Sequence, residues 1–238
     1  MIVKTLVSPN FSKKPRNGKN IKFIIIHYTG MQSKIESIKR LTNRRSKVSC
    51  HYIIDRAGEI TQMVNLYKVA WHAGKSKWKN VKNLNKSSIG IELVNKGHKF
   101  GYQKFTDLQI KSLIYLCKFL MKKFKIKNSR VLGHSDIAPL RKDDPGEKFP
   151  WKKLNSQRIG IWYKQKGVSF KKIHEEKKQE KFFFKNLHRI GYRYFSVSKK
   201  TKKLVTKAFQ KHFVQKNISG KIDQKTLKIS HFLASRPI

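Results

Sequence analysis

Apolar residues recur along this chain in two rhythms. Residues 22–30 read KFIIIHYTG and residues 87–94 read SSIGIELV. Such near-continuous apolar runs predict strands buried on both faces in the middle of a sheet. His27 then ends the first strand, and Glu92 sits within the second. The flanks of Glu92, Ile91 and Leu93, mark a central strand, where a carboxylate needs a reason to be present. Residues 51–64, HYIIDRAGEITQMV, hold two β-rich runs about Asp55–Gly58, a hairpin by its turn chemistry. A short strand at Val131 and Leu132 leads into GHSDIAPLRKDDPG, residues 133–146.

The second rhythm is helical. Ser33 caps a helix with Ile35, Ile38 and Leu41 on its apolar side. Thr106 caps a stronger one, with Asp107 in its first turn and Ile110, Leu113, Ile114, Cys117, Leu120, Met121 and Phe124 on one stripe. Strands interleaved with helices predict an α/β domain over residues 1–165. Residues 164–181, KQKGVSFKKIHEEKKQEK, have few apolar anchors, and 166–180 read as a linker with some helix. Periodicity then returns in FFFKNLHRIGY, TKKLVTKAFQKHF and QKTLKISHFL. These predict a small three-helix domain over residues 181–238, with Leu187, Ile190, Phe209, Phe213 and Leu227 in its core.

Charge changes this picture less than its size suggests. The 238 residues carry 56 Lys and Arg against 13 Asp and Glu, a formal charge of +43. Such a field attracts polyanions of any kind, including nucleic acid and acidic cell-wall polymer. A surplus spread over the whole chain is also what a lysine-rich genome produces. No aromatic-interleaved basic platform or helix-turn-helix pattern stands out, so contact with nucleic acid is expected to be non-specific and salt-sensitive. The two cysteines, Cys50 and Cys117, are too few for a zinc knuckle or a disulfide scaffold. No apolar run reaches the length of a membrane span. The opening MIVKTLVSPNFSKKP does not read as a secretory signal, so a cytoplasmic location is expected, with the periplasm or outer membrane as the alternative.

In a chain so poor in acids, residues 133–146 crowd three aspartates around a Pro-Gly turn. A hydrolytic zinc site takes three ligands from His, Asp and Glu and leaves a fourth position to water. His27 ends one strand and His134 follows another, and Pro145-Gly146 can turn the carboxylate of Asp144 back toward His134. Taken singly, each has a plainer reading: His27 as a strand-end core histidine, Asp144 as a turn former.

Six stretches occurring in order alter that balance: HYTG at 27–30, SCHYIIDRAG at 49–58, AWHAG at 70–74, SIGIELVNKG at 88–97, GHSDIAPLRKDDPG at 133–146 and FPW at 149–151. Together they resemble the zinc-dependent N-acetylmuramoyl-L-alanine amidases of the type-2 amidase family, relatives of the peptidoglycan recognition proteins. The resemblance covers residues 1–165 and implies a central mixed β-sheet flanked by helices, with a zinc-bearing groove. It implies Zn²⁺ held by His27, His134 and Asp144, leaving Asp136 and Asp143 without a ligand role. Glu92 and Lys142 match the family's catalytic glutamate and lysine. The implied reaction is hydrolysis of the amide between N-acetylmuramic acid and L-alanine, in peptidoglycan or in anhydro-muropeptides, by an enzyme assumed monomeric. Glu92 would move protons, and Lys142 would face the oxyanion. The alternative is a relative that binds peptidoglycan without cutting it, although such relatives typically lack a zinc ligand.

The last third, through LHRIGY at 187–192 and KAFQKHFVQKNISGKIDQKT at 207–226, resembles the peptidoglycan-binding domain 1 module. His51 and His72 lie in family motifs, as groove or core residues. His98, His174, His188, His212 and His231 lie outside them and read as solvated or structural. Trp78, in a lysine-rich loop, reads as a sugar-stacking or core-covering aromatic.

Overall fold

The buried runs pair in the middle of one sheet. The computed structural model describes residues 3–163, 169–194 and 198–235. In chain order the elements are β1 (Val3–Thr5), β2 (Phe11–Ser12), β3 (Phe23–Tyr28), α1 (Lys34–Thr42), β4 (Tyr52–Ile54) and β5 (Ile60–Gln62). Then come β6 (Val69–Ala70), β7 (Lys77–Trp78), β8 (Val81–Lys82), β9 (Ser88–Leu93), α2 (Asp107–Phe124) and β10 (Val131–Gly133). The rest are α3 (His134–Ile137), α4 (Trp151–Ser156), α5 (Glu176–Ile190), α6 (Lys199–Phe213) and α7 (Gln224–Ala234). Six strands form a mixed sheet in the order β1-β5-β4-β9-β3-β10. β4 and β5 are the antiparallel hairpin, and the other neighbours run parallel. The fold is thus α/β, with a central mixed sheet flanked by helices.

Alternation along β3 and β9 divides the core in two. Ile24, Ile26, Ile89, Ile91 and Leu93 pack with Ile110, Leu113, Leu116, Cys117 and Leu120 of α2. The capping box at Thr106 anchors that helix, because Gln109 completes it and also donates from Nε2 to Val94 O (3.0 Å) and Ile54 O (3.2 Å). On the other side, Phe23, Ile25 and Leu132 belong to one continuous cluster with Phe183, Leu187, Ile190, Phe209 and Leu227. The three C-terminal helices therefore share an apolar core with the sheet. By the same alternation His27 and Glu92 stand on this second face, and the register sets them side by side.

One expectation changes, and one open alternative is decided. Ile35 is 66% exposed, and α1 instead buries Ser37 and Leu41, the latter against Cys50, Ile53, Met63 and Val94, so only a narrow edge of the helix meets the core. Trp78 is a core aromatic, 3% exposed, with its ring edge against Tyr192. α5 begins at Glu176, inside the stretch read as linker, while residues 166–168 of that stretch and 236–238 at the end lie outside the described residues.

A shared core makes a prediction. Phe209→Ala removes a fully buried ring and should cost about 3–5 kcal/mol. In calorimetry of the metal-free protein it should lower a single unfolding transition. Two separate transitions, with one left unmoved, would contradict the shared core.

Candidate metal and catalytic site

Three donors converge where β3 and β10 end. His27 is the fifth residue of β3, His134 opens α3 directly after β10, and Asp144 closes the following loop. That loop returns on itself because the Ser135 N–H donates to Asp144 O (2.8 Å). It also needs Gly133, since a Cβ there would stand 2.7 Å from Pro145 Cδ. His27 Nδ1 lies 2.9 Å from Asp144 Oδ2 and 2.9 Å from His134 Nδ1, and His134 Nδ1 lies 3.1 Å from the same carboxylate oxygen. All three side chains are buried.

The distal ring nitrogens decide where the protons sit. The Ser88 hydroxyl donates to Leu84 O (2.5 Å), so its oxygen accepts from His72 Nε2–H (3.2 Å). His72 Nδ1 is then an acceptor and takes the proton of His27 Nε2–H (3.0 Å). His134 Nε2–H donates to Ala73 O (3.1 Å), a partner that can only accept. Arg141 Nη2 stands 3.3 Å from the same nitrogen, but it shares the Ala73 carbonyl and donates also to Lys75 O, so it does not reverse that assignment. Both Nδ1 atoms are left as bare lone pairs aimed at a carboxylate. Three electron pairs meeting in a buried space call for a cation, and two imidazole nitrogens with a carboxylate oxygen suit a divalent metal.

The electrostatics agree. Burial, and then the neighbouring His134, lower the His27 imidazole to about 4, so the ring is neutral at ordinary pH. Burial alone would raise the Asp144 carboxyl, and it lies far below the usual carboxylate range only where positive charge, on His134 and His27 or on an ion among the three donors, stands beside it. Burial pushes His72 well down. Its ring lies directly over β9, where a Cβ on Gly90 would come within 2.3 Å of His72 Cγ. His51 lies behind His72, accepts from Gly90 N–H (3.0 Å) and belongs to the scaffold.

Glu92 lines the groove beside these ligands, and its Oε2 is buried with no hydrogen-bond partner among the described residues. Burial, helped by the charge of Asp144, pushes its carboxyl up to about 8, against the pull of Lys142 and Arg40. Lys142 lines the same groove from the loop between His134 and Asp144, and its charge acts on both His27 and Glu92. The groove encloses about 600 Å³, with Tyr28, Trp71 and Phe100 among its aromatic walls and Arg40, Lys99 and Arg141 among its cationic ones. His98, read from the sequence as solvated or structural, is exposed and also forms part of this wall, bonded to Tyr28 Oη (2.8 Å) and Glu147 (3.0 Å). Nothing in the local pattern around His98 signals this; Tyr28 of the HYTG motif is what reaches it. Ser88 and Asn85, whose Oδ1 accepts from the N–H groups of His72 and Ala73, are also invisible as site residues in the sequence. Asp136 and Asp143 lie in the ligand loop but turn toward the C-terminal helices.

The profile of the N-acetylmuramoyl-L-alanine amidase family (Amidase_2) matches residues 17–147. The chain is 34% identical over 232 residues to the N-acetylmuramoyl-L-alanine amidase AmiD of Escherichia coli, covering 91% of this chain and 83% of that one. It is 36% identical over 167 residues to the 1,6-anhydro-N-acetylmuramyl-L-alanine amidase AmpD of Haemophilus influenzae, covering 63% and 88%. Among solved structures it is similar to E. coli AmiD in complex with anhydro-N-acetylmuramic acid-L-Ala-D-γ-Glu-L-Lys, with a TM-score of 0.80, 32% identity and coverage of 94% and 91%. AmpDH3 of Pseudomonas aeruginosa in complex with anhydromuramic pentapeptide also scores 0.80, at 29% identity and 97% of each chain.

The donor geometry predicts that elemental analysis after dialysis against Zn²⁺ finds one tightly held ion per chain, and that Asp144→Asn loses it. His72→Phe, which removes the acceptor for His27 Nε2–H, should weaken binding by about tenfold in chelator competition. Unchanged affinity in that variant would contradict the proton order.

Proposed function

The chain belongs to the N-acetylmuramoyl-L-alanine amidase family, and from that premise we propose that it hydrolyses the amide between N-acetylmuramic acid and L-alanine in cell-wall muropeptides. The observation that carries this reading is the meeting of three unprotonated donors in one groove with Glu92, whose buried Oε2 has no hydrogen-bond partner among the described residues. We take the ion to be zinc, held by His27, His134 and Asp144. When bound it supplies the Lewis acidity that polarises an amide carbonyl and acidifies water.

The chain's own residues supply the rest. Glu92 takes a proton from the attacking water and passes it to the departing alanine nitrogen. Its carboxyl, pushed up to about 8 without an ion, is drawn down by a cation on the three donors, toward the range in which one group both accepts and releases a proton. Lys142 brings a positive charge to the developing oxyanion. Arg40, Lys99 and Arg141 on the groove wall suit the free carboxylates of a stem peptide, and Tyr28, Trp71 and Phe100 suit the faces of a sugar. The anhydro-muropeptides held by the two solved relatives support that substrate class for this chain. Residues 181–238 would act as a peptidoglycan-binding module beside the catalytic residues 1–165. A cavity of about 570 Å³, lined by Phe184, Lys202, Thr206 and Asp223 among others, is the place there for a polymer segment.

Stripping the metal should abolish release of free stem peptide from a soluble anhydro-muropeptide, and added Zn²⁺ should restore it. Glu92→Gln should keep its zinc while turnover falls by about 10²–10⁴-fold. Near-normal turnover in that variant removes Glu92 from its role. A parent protein that retains zinc and binds muropeptide without cutting it would favour recognition alone.

A further inference from the structure

The zinc reading accounts for His134 and Asp144 but leaves unexplained why the loop between them carries two more aspartates. Asp136 is 1% exposed, and its carboxylate accepts three hydrogen bonds. One comes from within the motif, Gly133 N–H to Oδ2 (2.7 Å). The other two come from the C-terminal third of the chain: Tyr192 O–H to Oδ1 (2.5 Å) and His212 Nδ1–H to Oδ2 (2.8 Å). Tyr192 follows α5, and His212 lies in the last turn of α6. Both are buried, and the His212 ring is stacked between Trp151 (3.9 Å, 14°) and Phe213 (3.9 Å, 11°). Lys211 of α6 pairs with Asp143, the residue before Asp144, and Gln215, just past the helix, donates from Nε2 to Phe149 O (2.6 Å), in the segment that follows the loop.

These contacts bracket two of the three metal donors. His134 and Asp136 share the single turn of α3, so a displacement of one carries the other. A buried carboxylate stripped of two of its three donors keeps only the Gly133 N–H, and the loop would relax to hydrate it. We propose that Asp136 is a positioning residue for the metal site, and that Tyr192 and His212 of the C-terminal helices hold it in place. The helical module thus serves the chemistry of the groove as well as any polymer it contacts. This inference rests on His134 and Asp144 being zinc ligands. It adds that their preorganisation is supplied from about sixty to eighty residues away in sequence.

The test uses the full-length protein. The double variant Tyr192→Phe/His212→Phe keeps both rings and removes both donors. Its zinc affinity by chelator competition should fall about tenfold or more, and the visible spectrum of its Co²⁺-loaded form should change. On a soluble anhydro-muropeptide kcat should fall while KM holds. His212→Asn, which returns a donor near the Nδ1 position, should recover most of the affinity. Ser230→Ala, which breaks the Asn186–Ser230 hydrogen bond inside the bundle, should lower thermal stability with zinc affinity unchanged. Should the double variant not fold, Tyr192→Phe alone gives the same comparison by loss of one hydroxyl. Affinity and Co²⁺ spectrum equal to the parent's in the donor-deleted protein would overturn the inference. A parent that takes up no zinc overturns the proposed function instead, and this inference with it.

Discussion

Two imidazole lone pairs and a carboxylate oxygen held 2.9–3.1 Å apart in a buried space repel one another unless positive charge lies among them. The surrounding structure maintains that arrangement. A backbone carbonyl at Leu84 orients the Ser88 hydroxyl, the hydroxyl orients His72, and His72 fixes the tautomer of His27. A second carbonyl, at Ala73, does the same for His134. Carbonyls cannot donate, so each relay starts from a group whose role is fixed, and neither histidine can turn a proton inward without breaking a bond behind it.

The sheet delivers the remaining chemistry by alternation. β3 and β9 bury every second side chain under α2, which leaves His27 and Glu92 adjacent on the opposite face, at the strand ends. That face is shared. Most of it is covered by the apolar surface of α5, α6 and α7, and the metal loop lies at the border between groove and helices. The excess of positive charge attracts polyanions of any kind. Selectivity must come from the groove itself.

Much of this is legible in the sequence. β3, β9, α2 and the three C-terminal helices carry apolar periods long enough to read, and Asp55–Gly58 announces its hairpin. The two-residue strands, β2 and β6 to β8, are too short to show any period. Ile35 misleads because α1 turns only a narrow edge, Ser37 and Leu41, to the core and buries less than its pattern offers. At the site, motif order singles out His27, Glu92, His134, Lys142 and Asp144, and the structure brings the two histidines and Asp144 together with Glu92 and Lys142 on the same groove. The proton relay through Ser88 is not legible, because hydrogen-bond direction depends on neighbours far along the chain. Nor are His98 and Asp136, whose partners come from 49 to 76 residues away.

The central claim is a proton arrangement, and nitrogen NMR reads it directly. Long-range ¹H–¹⁵N correlation spectra of the zinc-loaded, histidine-labelled protein should show His27, His72 and His134 all as Nε2–H tautomers, with the Nδ1 signals of His27 and His134 shifted by the metal. A proton on Nδ1 of either His27 or His134 in that state would contradict the account.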